Sequence, residues 1–192
     1  MITLRQGQSC RTEACSVAGE PTGSSAGTGA KRRGESDMTP DEIIRLIEET
    51  DARLESIRER LGDGGERSLA TGEWRVRDAL SHLAARANPV ARSIWRMESA
   101  LAPGGAPAFD IHEENAGQLR DRSGQSIADL LTEIRDGHRA AIDELLALDE
   151  ETLARRFPVA FPPHELSVLE FIDRAGPQHD NGHLDEVEAA LA

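Results

Sequence analysis

Apolar positions recur at helical spacing in four long stretches of this chain. Ile43, Ile47, Leu54, Ile57 and Leu61 form one stripe. Thr39-Pro40-Asp41-Glu42 opens it with a capping box, and Gly62, Gly64 and Gly65 stop it. A second stripe runs from about Val76 to Leu101 through Leu80, Leu83, Ala87, Val90, Ile94 and Met97. Pro89 lies inside it, and because the period continues through the proline a bend near Arg86 is expected rather than a break. A third starts at Ser126, with Asp129 as capping partner, and carries Ile127, Leu131, Ile134, His138, Ala141, Leu145 and Leu148. The fourth opens on the capping box Ser167-Val-Leu-Glu170 and carries Val168, Phe171, Ile172, Ala175, His179, His183, Val187 and Leu191. Gly176-Pro177 interrupts it, so it either kinks or restarts with Pro177 at the first helical position.

Four amphipathic helices predict an all-α four-helix bundle. The segment from Ala102 to Gln125 makes a long crossover from helix two to helix three, with a short helix near Asp110 to Leu119. Asp149 to Arg156 reads as a short turn, and Phe157 to Pro163 as a Pro-rich connection.

Composition narrows the classes. With 192 residues, 38% of them hydrophobic and 30% charged, the chain suits one globular domain plus a tail. Aromatics make up 3% and Tyr is absent, which disfavours an all-β fold and removes the stacking platforms of single-strand binders. The net charge of -13 repels a phosphate backbone, so no nucleic-acid partner is expected. Residues 1–37 are rich in Gly, Ser and Thr and too poor in apolar residues to offset the entropy of ordering them; they read as a disordered tail, and 38–192 as the folded domain. Neither a secretory leader nor a membrane span is legible. Cys10 and Cys15 both fall in the tail and read as incidental, and a reducing, cytoplasmic setting is expected.

The candidate chemistry lies in three histidines. His82 sits beside the apolar stripe of helix two, where a lone histidine is most often a hydrogen-bonded core residue. His179 and His183 stand one turn apart on one helix face, a spacing that also arises by chance. Together, an i,i+4 pair plus one imidazole from a neighbouring helix would supply three nitrogen ligands to a divalent cation and leave a position open. His138 shares the stripe of helix three and reads either as a core histidine or as part of a cavity wall. His112 reads as exposed. Asp78 suits the positive end of helix two, with a contact to His82 as its other reading.

The pattern W-x-V-x-D-x-x-x-H-L from Trp74 to Leu83, followed by HxxxH-L at His179 to Leu184, resembles the DinB-like superfamily of four-helix-bundle metalloproteins. That superfamily includes thiol-dependent transferases and the N-terminal domain of mycothiol-dependent maleylpyruvate isomerase. The resemblance covers roughly Met38 to Ala192. It implies a 1-2-4-3 linkage with helix four beside helix two, and a divalent metal (Zn, Ni, Mn or Fe) on His82, His179 and His183. It further implies a low-molecular-weight thiol as cosubstrate, a small-molecule substrate, and Asp110 and Asn115 on the cavity rim. A non-enzymatic module with a structural metal, or none, is the competing class. Pairing into a homodimer is left open.

Overall fold

The computed structural model describes residues 38–105, 110–159 and 164–192. The expectations for the tail and for Cys10 and Cys15 lie outside those residues. Helix α1 spans Pro40–Leu61. The Thr39 hydroxyl accepts from the Glu42 amide at 3.2 Å and the Glu42 carboxylate accepts from the Thr39 amide at 3.0 Å, the reciprocal cap read from the sequence. The helix ends at Gly62, whose φ of 49° favours a residue without Cβ. A 3-10 turn, Gly64–Glu66, and an antiparallel bridge between Ser68 and Arg75 then return the chain to the bundle and hold Trp74 at its end.

The second stripe divides into α2, Val76–Arg86, and α3, Pro89–Leu101. The expected bend is therefore a break. Pro89 has no N–H to donate and disfavours helical backbone at Asn88, which takes φ -110°, ψ 87°. Asn88 Oδ1 then accepts from the Ala91 amide at 3.0 Å and begins a new helix. Leu101, expected to face inward, is exposed at the end of α3.

Asp110 caps the short crossover helix α4, Ile111–Asp121, and Ser126 with Asp129 caps α5, Ile127–Ala147. A single-turn helix α6, Glu150–Ala154, follows. The Pro-rich connection contains a feature the sequence reading missed: β1, Arg156–Val159, pairs antiparallel with β2, His164–Ser167. Phe157 is buried there, its ring 5.3 Å from that of Phe171. Helix four is two helices, α7 (Val168–Ala175) and α8 (Pro177–Leu191), so it restarts at Pro177. No described helix is long and apolar enough to cross a membrane.

Both α1 and α2 pack against α5 and α8. The order around the bundle is thus one, four, two, three rather than 1-2-4-3, with helices one and two facing across the diagonal. The adjacency that the histidines need, helix four beside helix two, holds. The apolar interior forms two clusters. One joins Leu54, Ile57 and Leu61 to Leu80, Leu83, Ile134, Leu184 and Val187. The other joins Ile43 and Ile47 to Val90, Met97, Leu145, Phe157 and Ile172. On α1, α5 and α8 the positions between these clusters are polar and buried: Thr50, His138 and Asp180. An unpaired polar group at such a depth costs about 1–3 kcal/mol. That is as much as burying a leucine contributes, about 1.5–3 kcal/mol. The layer must therefore be satisfied from within.

Candidate metal centre

His82 projects from the second turn of α2 and is buried. Helix α8 buries Asp180, Leu184 and Val187, which leaves His179 and His183 half-buried on the edge of that stripe, facing α2. The three rings meet: centroids are 5.0 Å apart for His82 with His179, 5.0 Å for His82 with His183, and 4.7 Å for His179 with His183. One ligand nitrogen from each lies within 4.8 Å of the others, and the Nε2 atoms of His82 and His179 are 3.0 Å apart. Trp74 stacks on His183 at 5.7 Å and 21° and lies 5.0 Å from His82, closing one side of the cluster. The structure thus brings together all three histidines singled out from the sequence.

Hydrogen-bond partners fix which nitrogen of each ring carries the proton. The Glu114 carboxylate only accepts, so Gln118 must turn its Nε2 toward it, at 3.1 Å, and its Oε1 toward His82 Nδ1, at 2.7 Å. His82 therefore donates through Nδ1, and its Nε2 is a bare lone pair. His179 donates from Nδ1 to Asp180 Oδ1 at 2.9 Å, and His183 from Nδ1 to Glu186 Oε2 at 3.3 Å. Three Nε2 lone pairs converge in consequence. Burial, reinforced by the charges of His179, His183 and Arg86, pushes the His82 pKa down to about 3. Burial and His179 also lower that of His183. Both rings are held neutral, the form in which imidazole binds a metal.

Behind His179 the contacts continue through the polar layer. Asp180 Oδ2 lies 3.4 Å from His138 Nε2, and His138 Nδ1 lies 2.6 Å from Asp51 Oδ1. Burial alone would lower the His138 pKa; hydrogen bonds to Asp180 and Asp51 and their charges outweigh it and raise the value to about 9. Burial would raise the Asp180 carboxyl, but His138 and His179 hold it below the usual range. His138 is thus a core histidine, and it bridges two carboxylates rather than lining the cluster.

The remaining sequence candidates fall elsewhere. Asp78 caps α2 through the Arg75 amide at 3.0 Å and pairs with the Arg75 guanidinium; its contacts are with Arg75 rather than His82. Asp110 accepts from the amides of His112 and Glu113 as the cap of α4. Asn115 lies half-buried on α4, its Oδ1 enclosed and without a partner, and His112 is exposed. Gln118, Asp51 and Glu186 were not singled out from the sequence, since a polar residue on a helix flank carries no mark of its partner. Asp180 did carry a signal: Asp180, Leu184 and Val187 share helical spacing, so an acid was being placed in an apolar stripe.

The donor set fits a divalent cation. Three nitrogens bound at about 2.0–2.1 Å to one ion lie about 3–3.4 Å apart. The 3.0 Å between His82 and His179 falls at that spacing. Each Nδ1 is oriented by an oxygen acceptor, the outer support that metal-binding histidines require.

No family model matches the chain, and no curated protein matches it. Solved structures do. YfiT from Bacillus subtilis, a probable metal-dependent hydrolase with an unusual four-helix bundle topology, superposes with a TM-score of 0.64 at 19% identity, covering 85% of this chain and 92% of that one. The sibling lethal factor precursor DfsB gives 0.61 at 11% identity, over 80% of this chain and 95% of its own. A mutant of the mycothiol-dependent maleylpyruvate isomerase gives 0.57 at 11% identity, over 79% of this chain and 61% of its own. These superpositions show that the chain has a YfiT-like four-helix-bundle fold.

Proposed function

We propose that this protein is a metal-dependent enzyme acting on a small molecule, of the thiol-dependent transferase or isomerase kind. The observation that carries the reading is the convergence of three Nε2 lone pairs, each created by an acceptor on the opposite ring nitrogen. His82, His179 and His183 would hold the cation, and three protein ligands leave a position open. A cation there supplies Lewis acidity and favours the deprotonated form of a thiol or water bound to it. Imidazole donors suit zinc, nickel and iron better than manganese, which prefers oxygen.

The chain's own residues do the rest. Gln118 fixes the His82 ring, and Asp180 fixes His179 while compensating positive charge gathered on it. The Trp74 ring shields His183 and His82 from solvent on one side. A hydrolase is the second reading, favoured by the likeness to YfiT, with water in place of thiol. Cobalt-substituted protein separates the two. Added 2-mercaptoethanol should produce sulfur-to-cobalt charge-transfer absorption near neutral pH, and His82→Ala should abolish it. No spectral change at millimolar thiol, in protein shown to hold cobalt, would remove the thiol reading. A thiol-silent, cobalt-loaded protein that hydrolyses esters or amides would establish the second.

A further inference from the structure

One guanidinium beside the histidine cluster lacks a partner that its burial calls for. Arg86 lies one turn beyond His82 on α2, so the two side chains share a helix face. Its Nε is enclosed and makes no hydrogen bond. The charges acting on it come from Arg92, Glu114, Asp180 and Arg96, which places it between the crossover helix α4 and the start of α3. Glu114 is already engaged, accepting from Arg92 at 2.8 Å and from Gln118 at 3.1 Å. Through Gln118 the same network reaches His82. Three guanidinium groups therefore meet two carboxylates, Glu114 and Asp180, and Asp180 is already engaged by His179 and His138, on a protein whose net charge is -13. Two of the other enclosed, unpartnered atoms among the described residues, Glu114 Oε2 and Asn115 Oδ1, lie on the α4 face that packs against α2.

An enclosed charged donor without an acceptor costs free energy, and a ligand anion accepted there offsets that cost. We propose that Arg86 recognises a carboxylate on the small molecule that occupies the histidine cluster. Its Nε–H and a terminal N–H present the planar fork that matches a carboxylate. Phosphate fits less well, because Arg92 is committed to Glu114 and one fork remains. The i,i+4 spacing sets the Cβ atoms of His82 and Arg86 about 5–6 Å apart, so one small molecule can reach both side chains. The proposal deepens the metal-site reading and rests on it only for the identity of the reacting centre.

Two measurements on the full chain test it. In the first, cobalt-substituted protein is titrated with 3-mercaptopropionate and with its neutral amide, following charge-transfer absorption. The acid should bind about tenfold or more tightly than the amide. Arg86→Gln should bring the acid down to the amide and leave the amide unchanged, and Arg86→Lys should restore only part of the gap, since an ammonium is not a fork. Equal binding of acid and amide to the wild type overturns the proposal, as does an equal loss of both in Arg86→Gln, which would mark the residue as structural. The second uses metal-free, nitrogen-15-labelled protein and millimolar succinate. The Nε–H resonance that Arg86→Gln removes should shift and saturate, and a flat response overturns the proposal whether or not cobalt binds. A saturating shift in a protein that takes up no cobalt would instead strike down the metal reading and leave Arg86 as a carboxylate site.

Discussion

Gly176 lies directly against Pro89, the break in one helix seated on the break in another. A Cβ at Gly176 would stand 2.7 Å from Pro89 Cγ and 2.9 Å from Pro89 Cβ. Gly137 grips the same junction from α5, where a Cβ would meet that of Ala87 at 2.5 Å and the Ala87 carbonyl carbon at 3.1 Å. The segment 87–89 is thus clasped by two glycines, and it sets where α2 ends relative to the start of α8.

Gly176→Ala and Gly137→Ala should each destabilise the protein by about 1–3 kcal/mol through overpacking. Gly182→Ala, on the exposed side of α8 where nothing lies within 4 Å, should stabilise by up to about 1 kcal/mol through helix propensity. Urea unfolding of the three variants checks the signs. A neutral Gly176→Ala would show that the contact with Pro89 has slack.

Zinc should stabilise the native state by mass action, by about 4 kcal/mol at a thousandfold excess over its dissociation constant. His183→Ala should lose that gain while retaining most of the metal-free stability, because the ring is half-buried outside both apolar clusters. Thermal melts with and without chelator measure it; identical melts for zinc-loaded and stripped wild type would contradict it.

Gln118→Leu removes the acceptor that fixes His82 Nδ1–H and the donor to Glu114. Metal affinity should fall about 10–100-fold, the usual effect of losing an outer partner of a ligating histidine. Competition titration against a chromophoric chelator reads this directly, and unchanged affinity would mean that His82 is held by its surroundings alone.

Stability of the metal-free protein should decline on the alkaline side. His138 has its pKa raised to about 9, so its contribution is complete below the unfolded value of about 6.5 and is lost as pH rises through about 9. The shift corresponds to about 3 kcal/mol. His138→Gln should flatten the profile over that range. A wild type equally stable at both ends of it would mean that the bridge to Asp51 and Asp180 contributes nothing.

What could be read from the sequence is what is local. Thr39 with Glu42, Ser126 with Asp129 and Ser167 with Glu170 lie three residues apart and cap their helices as their order dictates. The histidines were legible for a related reason: His179 and His183 declare a shared face, and His82 abuts an apolar stripe. Their supports were not, because Gln118 reaches His82 and Asp51 reaches His138 across large sequence separations that only packing decides. The hairpin escaped because each strand has only four residues and the first contains Pro158, too little alternation to register. Pro89 misled in the other direction: an unbroken apolar period concealed a chain break that Asn88 stabilises as a cap.

The polar layer between the two apolar clusters also acts as a registry key. An apolar helix face can slide by a turn at modest cost, since one leucine replaces another. Here a one-turn slip of α5 against α1 or α8 would carry His138 about 5.4 Å along the bundle and into hydrocarbon. Asp180 would be left enclosed without its cationic partner, a loss of about 3–5 kcal/mol when a buried pair is broken. Neighbouring alignments are thereby removed from the set of competing folds, and the alignment that remains is the one that brings His82 level with His179 and His183.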